Sequence, residues 1–139
     1  MPDFLELIGD WLAGRWEPPV ARLVGFRLVA CESGMARVEL AAEERHHNPM
    51  GTVHGGILCD LADAAMGAAL ASVLAEGEGF ATVALAASYF RPVREGLLRA
   101  EGRIVHRGRS LAHLEAEITD EAGRPVAAFT GTCAIVSVE

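Results

Sequence analysis

Near the start of the chain, Phe4, Leu5, Leu7, Ile8, Trp11 and Leu12 recur at helical spacing with Asp3 placed to cap them, which predicts a short amphipathic helix over residues 3–14. Pro18-Pro19 ends that element. Residues 22–31 and 35–42 read as strands joined by a turn at Glu32-Ser33-Gly34, and in the second Ala36, Val38 and Leu40 alternate with Arg37 and Glu39. Residues 43–52 are polar and read as a loop. From about His54 to Ala75 the chain is rich in Ala and Leu and apolar on nearly every side, the pattern of a helix buried all round. At 1.5 Å per residue it would run about 30 Å. Gly77 and Gly79 punctuate its end, and four strand-like runs follow, at 81–90, 97–106, 110–119 and 125–138. In the third, Ala112, Leu114, Ala116 and Ile118 face inward against His113, Glu115 and Glu117. Short connections suit antiparallel neighbours. One long apolar helix with about six strands predicts an α+β fold, a curved antiparallel sheet wrapped around a central helix.

Composition narrows this to one globular domain: 139 residues, no internal repeat, 51% hydrophobic and 22% charged. A chain of this size buries only roughly 68–70% of its unfolded surface by itself. The apolar excess therefore points to a face covered by another subunit. A net charge of −7 argues against nucleic acid, which demands a basic footprint. A phosphorylated ligand needs only a few local cations, and the twelve basic residues include a cluster between Arg91 and Arg109. Cys31, Cys59 and Cys133 are widely spaced and match no metal-finger or redox motif, so they read as free thiols in a reducing, cytoplasmic compartment. Asp3 at the N-terminus does not suit a signal peptide. Asp60 and Asp63 inside the most apolar stretch do not suit a membrane span.

Candidate chemistry concentrates in Asn48-Pro49-Met50-Gly51-Thr52-Val53-His54-Gly55-Gly56 and in Asp60-Leu61-Ala62-Asp63. Two glycines opening a helix leave its first N–H groups accessible to a ligand oxygen, with the positive end of the helix dipole behind them. From the glycines alone, a helix start that merely permits close packing is the simpler reading. Asp63 shifts the balance, because a carboxylate in an apolar helix is costly unless hydrogen-bonded or lining a cavity. Asp60, one turn earlier, reads as a satisfied structural acid. His46 and His47 are adjacent loop residues that would point apart, and with His54 they fit no standard metal site. Trp11 and Trp16 read as packing anchors, although an N-terminal helix could also cover a pocket. Cys59 reads as core.

The string N-P-M-G-T-V-H-G-G followed by Asp63 resembles the signature of hotdog-fold thioesterases, especially the phenylacetate-pathway (PaaI-like) group. The likeness runs over about residues 20–138 and takes in Tyr89-Phe90-Arg91-Pro92 and Arg107-Gly108-Arg109-Ser110. It implies the hotdog fold for one domain over 1–139, with residues 1–19 as N-terminal helix and linker, and hydrolysis of an acyl-CoA thioester without metal or cofactor. The Gly55 N–H would polarise the thioester carbonyl, with Gly56 supporting the turn, His54 fixing it by hydrogen bonding and Asn48 holding the carbonyl or the attacking water. Asp63 would act as general base or nucleophile. Some members carry Glu there, and Asp resembles the PaaI-like branch. Thr82 matches the position where some members supply a serine hydroxyl. Phenylacetyl-type or hydroxylated aryl groups are suggested by the resemblance, and short aliphatic acyl groups stay open.

Spacing adds an inference of its own. Gly55 and Asp63 are eight residues apart, roughly 12 Å along a helix. Groups acting on one thioester carbon should lie about 3–3.5 Å from it. One helix cannot supply both, so the site is expected to be composite, with Asn48 and Gly55 from one subunit and Asp63 from the other; similar proteins often assemble further into tetramers. Arg107, Arg109 and Ser110 would clamp the nucleotide end of coenzyme A, and Arg91 is a further candidate; a solvated hairpin turn fits the same residues. A hotdog hydratase or dehydratase, or an acyl-CoA-binding module without turnover, are the alternatives.

Overall fold

The structure, a computed structural model, describes residues 3–138. Its six strands form one antiparallel sheet in the order β1-β2-β4-β5-β6-β3: β1 Arg27–Glu32, β2 Met35–Ala42, β3 Glu78–Tyr89, β4 Gly96–Arg107, β5 Leu111–Thr119 and β6 Pro125–Ser137. The central helix α3, Gly55–Ala71, packs against β4, β2 and β5. This is the α+β arrangement expected from the apolar pattern. Leu61, Ala62, Ala65 and Leu70 on α3 are fully buried against Val38, Leu40, Leu98, Leu114 and Ile118 of the sheet.

The helix can lie this close because the sheet is lined with small side chains where they meet. Ala36, Gly102 and Ala116 stand side by side across β2, β4 and β5. A Cβ on Gly102 would sit 2.6 Å from the Ala65 carbonyl carbon, a backbone clash that no rotamer can relieve. Outside the helix-to-sheet layer, α1 (Phe4–Leu12) crosses the other side of α3. Asp3 caps it by accepting a hydrogen bond from the Leu5 N–H at 2.9 Å, and Trp11 buries itself beside Phe26.

Three sequence expectations need correcting. The strand expected over 22–31 starts only at Arg27, because a short helix α2, Pro19–Val24, precedes it. Pro19 opens this helix at its first turn, where no N–H is needed, and Gly25 at φ 99° closes it. The central helix stops at Ala71 rather than Ala75; the Ser72 hydroxyl donates to Ala69 O and accepts from the Gly34 N–H, tying the helix end to the β1–β2 turn. Nor is the helix buried all round. Gly56 and Asp63 are exposed, and Asp60, Ala64 and Gly67 are only half-buried along the same stripe.

The sheet has an unpartnered edge of a particular kind. β3 is twelve residues long and, among the described residues, pairs only with β6. From Ala81 through Phe90, just past the strand's end, the chain is apolar apart from Thr82, Ser88 and the Tyr89 hydroxyl, and Val83, Tyr89 and Phe90 are more than half exposed. Among the described residues no helix is long and apolar enough to cross a membrane.

Candidate functional site

The loop before α3 is built by Asn48. Its Oδ1 accepts from the Met50 N–H (2.9 Å) and the Thr52 N–H (3.2 Å), and its Nδ2 donates to Thr52 Oγ1 (3.0 Å). Gly51, at φ 78°, closes the turn by donating to Asn48 O. Asn48 is thus a turn former, with one amide hydrogen left for a ligand. The Val53 N–H donates to Val93 O and the His54 N–H to His46 O, so the chain enters α3 along a fixed path.

That path presents Gly55 and Gly56 as the first helical residues, and among the described residues their N–H groups find no backbone acceptor. Each glycine has a physical reason. A Cβ on Gly55 would sit 3.0 Å from the Tyr89 hydroxyl, and one on Gly56 would sit 3.1 Å from the His54 ring. Tyr89, at the end of β3, donates its hydroxyl hydrogen to Gly55 O at 3.1 Å, with Cys59 Sγ 3.3 Å away. The hydrogen bond with Cys59, then burial, push the Tyr89 phenol up to about 12, so it stays a donor throughout the neutral range. The hydrogen bond expected from His54 runs through its backbone; among the described residues its ring makes none and lies exposed over Gly56.

Two turns along the same helix, Asp63 stands exposed and accepts a 3.0 Å hydrogen bond from Thr82 Oγ1. Thr82 lies at an irregularity in the pairing of β3 with β6, a bulge of the sort that re-aims a side chain. The Thr82–Asp63 pair is therefore made by a strand and a helix that meet only in the fold. Asp60 does not match its expected role: among the described residues its carboxyl makes no side-chain hydrogen bond. Burial, then the charge of Asp63, raise its pKa, with His54 opposing. Burial pushes the Cys31 and Cys133 thiols above their ordinary value.

Asp63, Asp60 and Thr82 open onto a groove of about 370 Å³ between α1 and α3. Its remaining walls are almost wholly apolar, from Phe4, Leu7, Ile8, Trp11 and Trp16 to Phe80. The sequence allowed an N-terminal helix that covers the acyl pocket, but the lining could not be assigned from it, since that needs the crossing of α1 over α3.

The arginines divide into two sets. Arg107 is engaged by Glu78 (Nη2 to Oε1, 2.5 Å) and by Gly108 O, and this pairing holds the Glu78 carboxyl below its ordinary value. Arg109 and Ser110 lie exposed on the turn beyond it. Arg91 is exposed past the opposite end of β3, a strand that spans roughly 36 Å at 3.3 Å per residue. Arg94, which sequence reading missed, donates to Gly51 O at 3.2 Å, and its own carbonyl meets His47 Nε2 at 2.6 Å. His46, in contrast, is buried with Nε2 donating to Val24 O, so the two histidines do point apart. Among the described residues no group of three or more His, Cys, Asp or Glu side chains could hold a metal ion.

Comparison with known proteins follows the same residues. The family model of the thioesterase superfamily matches residues 50–127, from the Asn48 turn through the Asp63 helix into β6. The proofreading thioesterase EntH of Klebsiella pneumoniae is 33% identical over 101 residues, covering 73% of this chain and 74% of its own. The 1,4-dihydroxy-2-naphthoyl-CoA hydrolase of Listeria monocytogenes is 32% identical over 98 residues, 70% of this chain and 80% of its own. Among solved structures, a phenylacetic acid degradation-related protein from Ralstonia eutropha superposes with a TM-score of 0.82 at 30% identity, covering 91% of this chain and 98% of that one. The chain therefore belongs to the thioesterase superfamily, and is a thioester hydrolase of the hotdog fold.

Proposed function

We propose that this enzyme hydrolyses the thioester of a small aromatic acyl-CoA to the free acid and coenzyme A, in sites shared between two copies of the chain. The observation that carries this reading is the Asp63–Thr82 pair at the mouth of an apolar groove. It is supported by the N–H groups of Gly55 and Gly56, two turns away at the start of the same helix, which among the described residues find no backbone acceptor. The aromatic class is favoured by the groove's ring-rich walls and by the relatives that act on a naphthoyl-CoA or are connected to phenylacetic acid degradation.

Attack on the thioester carbon builds negative charge on its oxygen. The Gly55 N–H, preorganised at the positive end of α3, stabilises that charge, with Asn48 Nδ2 as a second donor and Gly56 and His54 shaping the turn. Asp63 takes a proton from water as it attacks, or itself attacks to give an anhydride that water opens. Thr82 holds one carboxylate oxygen so that the other faces the substrate. The coenzyme A thiolate leaves, and no step calls for a metal or cofactor.

A partner is required by distance. Gly55 and Asp63 of one chain are about 12 Å apart along α3, whereas both must touch one reacting group. A second copy paired along the open, apolar edge of β3 would bring its Gly55 to this Asp63 and cover Val83 and Phe90. Such pairing would also bring together arginines that lie far apart in one chain, so that Arg91 with Arg94, or Arg109 with Ser110 and Arg107, could meet the coenzyme's phosphates. A further pairing of dimers into a tetramer, a reducing cytoplasmic setting, and no role for nucleic acid or membrane complete the proposal.

The test is thiol release from a panel of acyl-CoA thioesters by the wild type and Asp63→Asn. Turnover that falls by two orders of magnitude or more in the folded variant is the expected result. Binding of these thioesters without thiol release by the wild type would favour an acyl-CoA-binding module instead.

A further inference from the structure

The groove beside Asp63 has a floor and a wall of different origin. Its floor is Asp60, Asp63, Ala64, Gly67, Ala68 and Ala71 of α3, with Thr82 and Phe80 of β3, all within the family match at 50–127. Its wall is Phe4, Leu7, Ile8 and Trp11 of α1 with Trp16, Pro18, Val20 and Phe26, all outside that match. The small residues of the floor leave the space, and the wall determines how much of it remains. Five of the chain's eight aromatic side chains line this one groove.

The groove narrows where Phe80 crosses α3, before it runs on to Ala71. The Phe80 ring lies over Gly67 so closely that a Cβ there would meet it at 3.2 Å. Phe4 packs on Phe80 with ring centroids 5.9 Å apart, tilted by 43°. Gly67 is one turn past Asp63, about 6 Å along the helix. A group whose carbonyl sits at Asp63 therefore has room for one ring before it reaches the Phe4–Phe80 pair. A volume of about 370 Å³ lies at the small end of the roughly 300–1,000 Å³ usual for ligand sites.

We infer that α1 is the specificity wall of the acyl subsite: it admits a compact, ring-bearing acyl group running from Asp63 towards Phe80, and Phe4 sets the length limit. This rests on the thioesterase reading for the position of the carbonyl, not for the existence of the subsite. The family's chemistry would then reside in α3 and β3, while residues 4–20 would tune which acyl group reaches it.

The test uses full-length protein and two coenzyme A thioethers that cannot be hydrolysed, one carrying a 2-phenylethyl group and one a decyl group. Binding is followed by intrinsic fluorescence, since both tryptophans of the chain, Trp11 and Trp16, line the groove. The wild type should bind the phenylethyl thioether more tightly. Phe4→Ala should move the affinity ratio towards decyl by about tenfold or more, the scale on which apolar pockets discriminate a few methylenes, and Phe4→Trp should move it the other way. If Phe4→Ala does not fold, Phe4→Leu should still shift the ratio in the decyl direction. An unchanged ratio in the folded variants, or no binding of either thioether, overturns the inference. Thioether binding with the expected shifts, but no thiol release from the matching thioesters, would sink the hydrolytic reading and leave the subsite standing.

Discussion

The 3.0 Å hydrogen bond from Thr82 fixes one oxygen of Asp63 and leaves the other available to water or substrate. Hydrogen bonds to charged groups contribute roughly 1.5–3 kcal/mol, so Thr82→Val should lower kcat by about 10- to 100-fold with a smaller change in KM. Tyr89 acts at one remove, as a positioning residue: its hydroxyl holds the Gly55 peptide from which the helix start hangs. Loss of a neutral hydrogen bond costs about 0.5–1.5 kcal/mol, so Tyr89→Phe should reduce kcat by up to about tenfold while leaving KM nearly unchanged. An equal effect on KM alone would assign Tyr89 to binding instead. Asp60 gives a pH signature. Its raised pKa means that the folded chain holds a proton there more tightly than the unfolded chain does. The resulting penalty on folding is present above the raised value and is relieved as pH falls through it. Asp60→Asn should therefore raise Tm at neutral pH, with the gain fading in acid; a gain independent of pH would contradict the assignment. At this scale Asp63, Gly55 and Asn48 stood out in sequence as polar or glycine positions in unusual surroundings. Tyr89 stood out only within the family resemblance and Arg94 not at all, because their hydrogen bonds reach residues more than thirty positions away.

Helix α3 and the sheet meet through small residues, and this contact explains both what the chain pattern revealed and what it hid. The alternation of Ala112, Leu114, Ala116 and Ile118 with polar neighbours predicted β5, and all four are buried. The same logic misread α2, where a six-residue helix is too short to display its period and only Pro19 and Gly25 mark its ends. It also made α3 look uniformly buried, because alanine and glycine pattern alike whether they face a sheet or an open groove. Gly102 is the sharpest test of the packing. Its Cβ would meet backbone at 2.6 Å, so Gly102→Ala should destabilise the protein by roughly 1–3 kcal/mol or more, visible as a lower denaturant midpoint. Retained stability would mean that the helix sits further from β4.

For the whole molecule, the open edge of β3 is the feature that calls for a partner. A long, flat, apolar edge strand is an aggregation hazard unless it is covered. β3 carries no charged side chain between Ala81 and Tyr89. If the proposed dimer forms along this edge, Val83→Arg should give a folded monomer in sedimentation that has lost thiol-release activity. The most direct measurement of the shared site is complementation between two inactive variants. Gly55→Pro deletes the N–H; His54 already has the extended conformation a following proline requires, and the added Cβ, 3.0 Å from the Tyr89 hydroxyl, needs that side chain to give by a few tenths of an ångström. Asp63→Asn deletes the carboxylate. In a mixed dimer one site would carry both lesions and the other neither. Co-expressed in equal amounts, the two variants should recover about a quarter of wild-type turnover, because half the dimers hold one intact site of two. Mixed dimers that form but remain as inactive as each parent would show that Gly55 and Asp63 of the same chain work together, and the shared-site account would be wrong.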